Sequence, residues 1–185
     1  MQLQQLNTCP SAEADAAFRS CADVDRWVDR LVQDRPYADR DVLLTHAAQL
    51  ATTWTERDLD AALADHPRIG ERHAGDGASA DASAREQAGV GDDADVRVRL
   101  AEGNARYEER FGRIYLVRAA GRDAEEMLAL LEQRLQHDDA TEVAVAVGQL
   151  AQIALLRLAA LLDDGDGAGG TGEARSTDDR AEVRA

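Results

Sequence analysis

The chain has 185 residues, 44% of them hydrophobic but only 4% aromatic, and carries a formal net charge of −15. That length suits one compact domain with some tail, and a core drawn mainly from Ala, Leu and Val favours packed helices over an aromatic-rich β-sandwich. A chain this acidic repels phosphate backbones and anionic membrane surfaces. Every basic residue is arginine, which removes Schiff-base lysines and lysine general bases from consideration.

Residues 11–33 read as helix, with Ser11 as N-cap and Phe18, Cys21, Val24, Val28 and Leu31 at helical spacing. A break is expected near Cys21, and Pro36 ends the pattern. Asp39 to Trp54 forms a second helix, with a stripe of Leu43, Ala47, Leu50 and Trp54, and a short third covers residues 56–64 before Pro67. The glycines and small residues of 70–81 mark a loop, and Asp81 or Ser83 caps the next helix, which Gly89 and Gly91 interrupt. Ala94 to Phe111 is helical, with Val96, Leu100, Asn104 and Tyr107 along one side, and Phe111-Gly112 ends it. Arg113 to Ala119 holds a short apolar run without a partner strand, so an extended or helical connector is expected. Ala124 to Gln136, capped by Asp123, and Thr141 to Leu162 complete the helices. In the last, Val143, Val147, Leu150, Ile153 and Leu158 are the expected central core. Asp163 to Ala185 is rich in Gly, Asp and Arg and should be disordered. The reading is therefore all-α: a single-domain bundle of about eight helices over residues 1–162, with an acidic tail from 163 to 185.

Cys9 and Cys21 do not make a CxxC motif and read as reduced thiols. The first residues lack the charged start and apolar run of a signal peptide, no apolar run approaches a membrane span, and Val183-Arg184-Ala185 is not a peroxisomal address. A cytoplasmic location is expected.

A few polar residues are not explained by helix packing. His66 precedes Pro67 at a helix end, Glu86 and Gln87 sit near a helix start, and Arg157 lies between Leu156 and Leu158. An imidazole can move a proton near neutral pH, a carboxylate can orient it, a guanidinium can clamp a carboxylate or urea oxygen, and an amide matches a urea edge. Taken singly, each has a plain structural alternative: a helix stop for His66-Pro67, the last residue of a capping box for Glu86, and a snorkelling side chain for Arg157. His46, His73 and His137 read as surface or loop histidines. No HExxH zinc pair and no phosphate loop is present.

Three blocks add specificity: His66-Pro67-Arg68-Ile69-Gly70-Glu71, Ser83-Ala84-Arg85-Glu86-Gln87-Ala88-Gly89 and Asn104-Ala105-Arg106-Tyr107-Glu108-Glu109-Arg110-Phe111-Gly112. Together with Cys21 to Trp27, Arg35-Pro36-Tyr37 and Glu142-Val143 through Arg157-Leu158, they resemble, in order, the OHCU decarboxylase family. OHCU is 2-oxo-4-hydroxy-4-carboxy-5-ureidoimidazoline, the last intermediate between urate and allantoin, and the resemblance covers about residues 10–162. It implies an all-α homodimer that decarboxylates OHCU to (S)-allantoin without metal or organic cofactor. It implies His66 and Glu86 as catalytic residues. Pro67, Ser83, Ala84, Arg85, Glu86 and Gln87 would line the substrate pocket, the run Tyr115, Leu116, Val117, Arg118, Ala119 would meet substrate through its backbone, and Arg157 would clamp an anionic group. The chain departs from the family pattern at Gly75-Asp76-Gly77, at Ala82 and at Arg113. The competing readings are a lyase or isomerase acting on another ureido or hydantoin-like compound, and a non-catalytic helical interaction protein.

Overall fold

A computed structural model describes residues 1–64 and 94–163. Among them are eight helices and no strand: α1 Leu3–Thr8, α2 Ser11–Cys21, α3 Asp25–Gln33, α4 Arg40–Ala51, α5 Glu56–Leu63, α6 Ala94–Phe111, α7 Ala124–Arg134 and α8 Asp139–Asp163. The expected loop at 70–81, the capping box at Ser83–Glu86, the helix broken by Gly89 and Gly91, and the tail beyond Asp163 lie outside the described residues.

Local chemistry accounts for most of the boundaries. The expected break near Cys21 separates α2 from α3 at Ala22–Val24. The N-cap of α2 is Pro10 rather than Ser11: the Pro10 carbonyl accepts from the N–H groups of Glu13 and Ala14, so Ser11 is already the first helical residue. The Asp39 carboxylate accepts from Val42 N at 2.8 Å and starts α4, which ends at Ala51, leaving Trp54 beyond the helix but still buried. Asp123 and Glu126 form a reciprocal capping box at α7. Gly112, at φ +68°, closes α6 with its N–H on the Glu108 carbonyl. Sequence reading missed α1. It is too short for periodicity to reveal, yet its Leu6 is fully buried.

The described apolar residues form two clusters. The larger joins α1–α5 to α8 around Phe18, Trp27, Leu31, Leu43, Leu59 and Leu158. The smaller joins α6 and α7 around Leu100, Tyr107, Met127, Leu128 and Leu131. Helix α8 is 25 residues long and, by length and composition alone, apolar enough to cross a membrane. The expectation that no segment approaches such a span is corrected here. The same helix packs against α2, α4 and α5, and it places charged Glu142 and Arg157 among its buried residues. Its inner face runs Glu142, Ala146, Leu150, Ile153, Ala154, Arg157, Leu158, Leu162. Val143 and Val147, expected in the central core, are only half-buried; small Ala146 and Ala154 let neighbouring helices approach the inner side instead.

Helices α6 and α7 touch closely at Gly103. A Cβ there would stand 2.5 Å from Leu131 Cδ2, and Leu131 is fully buried. Gly103→Ala gains up to about 1 kcal/mol of helix propensity but overpacks a filled site at about 1–3 kcal/mol. The expected outcome is a lower Tm in thermal melts, and a raised Tm would refute the close approach.

The connector from Ile114 to Ala119 is not helical and, among the described residues, pairs with no strand; of the two expected forms, the extended one fits the alternation of its side chains. Its side chains alternate. Tyr115, Val117 and Ala119 belong to the smaller cluster and Leu116 to the larger. The run is apolar because it is wedged between two cores. Arg113, at its start, ion-pairs with Glu56 and, at 3.4 Å, with Asp60 on α5. The departure from the family pattern at this position is thus matched by carboxylates on a neighbouring helix.

Candidate active site

Of the residues singled out from sequence, His66, Pro67, Ser83, Ala84, Arg85, Glu86 and Gln87 lie outside the described residues. Tyr115, Leu116, Val117, Arg118, Ala119 and Arg157 are described. Arg157 is 7% exposed and stands on the core face of α8. It does not snorkel to the surface. A guanidinium buried on an apolar helix is costly unless other groups engage it. Its charge acts on Cys21. Burial pushes the Cys21 thiol up to about 12, with Ser20 and Arg157 pulling the other way, so this thiol stays protonated and is no nucleophile.

The extended run is held by its backbone. The Leu116 carbonyl accepts from Arg134 Nη1 at 2.6 Å. The Arg118 N–H donates to Gln149 Oε1 of α8 at 2.8 Å. The Arg118 carbonyl accepts from Arg122 Nη1, and the Ala119 carbonyl accepts from the Arg122 N–H at 3.0 Å. The run therefore passes along α8 from the level of Glu142, through Arg134, to that of Gln149. On α8, Gln149, Ile153 and Arg157 follow one another at i, i+4, i+8.

Behind the run lies a charged network that sequence reading did not anticipate. Arg134 Nε donates to Glu142 Oε1 at 2.9 Å, and Nη2 contacts the same oxygen and, at 3.2 Å, the Tyr107 hydroxyl. Tyr107 also donates to Glu142. His137 Nδ1 lies 2.9 Å from Glu142 Oε2, and the Arg134 guanidinium stacks 4.8 Å from the Tyr115 ring centroid. Glu142 and Arg134 are 1% and 3% exposed. Burial pushes the Glu142 carboxyl up, but the bonds from Arg134 and Tyr107 outweigh it and hold the group below its ordinary value. The Tyr115 phenol is pushed up to about 12, chiefly by burial, and stays protonated.

His137 was expected at the surface or in a loop. It does sit in the turn before α8, but it is half-buried and ends this network. His46, given the same expectation, is on α4 and half-buried, 2.6 Å from Asp34 Oδ2 with its ring tilted over Tyr37. His73 lies outside the described residues. The spacing did carry a signal for Arg134: it continues the buried row Met127, Leu131 of α7.

An open cavity of about 590 Å³ beside Pro36 is lined by Tyr37, His46 and several aspartates. Among the described residues, none expected in the site lines it.

The OHCU decarboxylase family model matches residues 7–159. The chain belongs to the OHCU decarboxylase family. A mouse 2-oxo-4-hydroxy-4-carboxy-5-ureidoimidazoline decarboxylase is 31% identical over 131 residues, which are 69% of this chain and 74% of the relative. A decarboxylase of the same description from Haloferax volcanii is 28% identical over 163 residues, covering 86% of this chain and 95% of that one. Among solved structures, an OHCU decarboxylase crystallised in the presence of (S)-allantoin superposes with a TM-score of 0.67 at 24% identity, over 80% of this chain and 97% of that one. That likeness establishes the shared helical fold.

Proposed function

We propose that this OHCU decarboxylase family member decarboxylates OHCU to (S)-allantoin in uric acid degradation. The observation that carries the reading is the family match from residue 7 to 159, within which the His66-Pro67-Arg68-Ile69-Gly70 and Ser83 to Gln87 blocks supply the chemistry. The buried Arg157 supports it from the structural side.

The substrate's own bonds explain how protein side chains can suffice. Its carboxylate is on a carbon that bears a hydroxyl and adjoins a C=N bond. When CO₂ leaves, the C–C bonding pair forms a C=C bond and the C=N pair moves onto nitrogen, which takes a proton. The enaminol so formed is protonated at the neighbouring carbon while its hydroxyl gives up a proton and becomes a carbonyl. Protonation on one face gives one enantiomer. His66 handles the hydroxyl proton and Glu86 orients it or shares the transfer. Ser83 and Gln87 hold ureido and ring-amide groups, with Pro67, Ala84 and Arg85 in the pocket wall. Arg157 fixes an anionic or carbonyl oxygen, and the backbone of Tyr115 to Ala119 meets the substrate as part of the pocket wall. The working unit is a homodimer, which sedimentation equilibrium checks. The compartment is the cytoplasm, in keeping with the free thiols of Cys9 and Cys21.

The test generates OHCU in situ from urate and follows the circular dichroism of the allantoin. The expected result is faster conversion than spontaneous decay and an excess of the (S) form. Racemic product at the uncatalysed rate refutes the reading.

A further inference from the structure

We infer that Gln149 is a positioning residue for the reaction: with Arg134, it forms a two-point clamp that fixes the peptide units between Leu116 and Arg118 as a wall of the substrate pocket. The inference rests on the reading of Tyr115 to Ala119 as a pocket wall.

Three observations converge on it. Arg134 holds a carbonyl and Gln149 holds an N–H only two residues apart, at 2.6 and 2.8 Å. Between these points the run belongs to no helix and, among the described residues, pairs with no strand, so no ladder bond to those residues fixes its backbone. Side-chain packing anchors the run in two cores, but packing sets the depth of a segment better than the rotation of its peptide planes. Rotation of those planes decides where a backbone N–H or carbonyl points toward a ligand, and the two polar anchors control it. Gln149 also shares an i+4 ridge of α8 with Ile153 and Arg157, so one rigid helix carries both the wall's anchor and the proposed anion clamp. A rigid scaffold of this kind holds the distance between two binding elements, and a misplacement of about 1 Å can cost on the order of 100-fold in rate.

The role requires an acceptor at Gln149 Oε1 and nothing from its NH₂ group. Glutamate at 149 keeps the acceptor, and methionine keeps the length and removes it. Gln149 is only half-buried, so either change leaves the core intact.

The experiment compares Gln149→Met and Gln149→Glu with the native full-length chain. Hydrogen exchange of the Arg118 amide reads the clamp with no substrate present, and kinetics on freshly generated OHCU read its consequence. For Gln149→Met, the Arg118 amide should exchange at least about tenfold faster and kcat/KM should fall about 10- to 100-fold, with lower enantiomeric excess in the allantoin. For Gln149→Glu, slow exchange should persist and kcat/KM should return to within about threefold of native. Gln149→Ala gives the same comparison if the methionine variant does not fold. Native enzyme that is active while Gln149→Met stays within twofold of it overturns the positioning role and leaves the proposed function standing. So does a glutamate variant as impaired as the methionine one. Native enzyme that does not accelerate OHCU decay removes the function and this assignment together, even where the exchange data show the clamp.

Discussion

His66→Asn should lower kcat for OHCU decarboxylation by about 10²–10⁴-fold while leaving the fold unchanged. The range is what a positioned general acid–base group contributes. Asparagine keeps a hydrogen-bonding group of similar reach and removes the titrating one, so a loss of this size reports proton transfer rather than shape. OHCU also decays spontaneously, so the residual signal must be read for chirality as well as rate. A variant that has lost proton delivery to one face should yield nearly racemic allantoin. Arg157→Ala supplies the contrast. Loss of a clamp that binds ground state and transition state alike should raise KM more than it lowers kcat. His66→Asn with near-native rate and native enantiomeric excess would remove His66 from the mechanism. Arg157→Ala with unchanged KM and kcat would remove the clamp.

The second large effect is on stability. Arg134→Met leaves the Glu142 carboxylate, 1% exposed, without its arginine partner. Breaking one partner of such a buried pair costs about 3–5 kcal/mol, a large part of the stability of a domain of this size. Urea unfolding at neutral pH measures it from the midpoint and slope. A cost under about 1 kcal/mol would mean that water reaches Glu142. The double variant Arg134→Met/Glu142→Leu should recover much of the loss, because it removes the stranded charge along with the bridge. The pair also predicts a pH dependence. The Glu142 carboxyl sits below its ordinary value in the folded protein, so the unfolded chain binds its proton more readily. Its stabilising contribution is complete above about pH 4.3 and is lost as pH falls through the lower folded-state value. Tm of the native protein should therefore drop more steeply below about pH 4 than that of Glu142→Gln.

Much of this molecule could be read from its residues, and the exceptions have identifiable causes. The span of α6 and its inner row Val96, Leu100, Asn104, Tyr107 follow from helical spacing and a terminal glycine, and all four are buried. The Asp123 cap and the break after Cys21 are equally local. Ser11 misled because a serine before an acidic turn resembles a cap, whereas the Pro10 carbonyl already accepts the first helical bonds. Val143 and Val147 misled because apolar character does not say which side of an apolar helix faces inward. At the site, Arg157 stood out as a charge in an apolar stretch, but the Arg134–Glu142 pair did not. Its partners are eight residues apart across a reversal of chain direction, where the i, i+4 rule does not apply. Gln149 was invisible for a related reason. Its partner is a backbone N–H, and main-chain groups leave no mark in a sequence.

The connector from Ile114 to Ala119 would count as a loop, the class of segment in which evolution most freely adds and removes residues. Its alternation denies it that freedom. Adding or deleting one residue after Gly112 would exchange its two faces, turning Leu116 toward the α6–α7 cluster and Tyr115 toward the cluster around α8. The carbonyl now given to Arg134 and the N–H now given to Gln149 would be replaced by groups pointing the other way. Relatives that keep this architecture should therefore conserve the length of the connector more strictly than the identity of its residues.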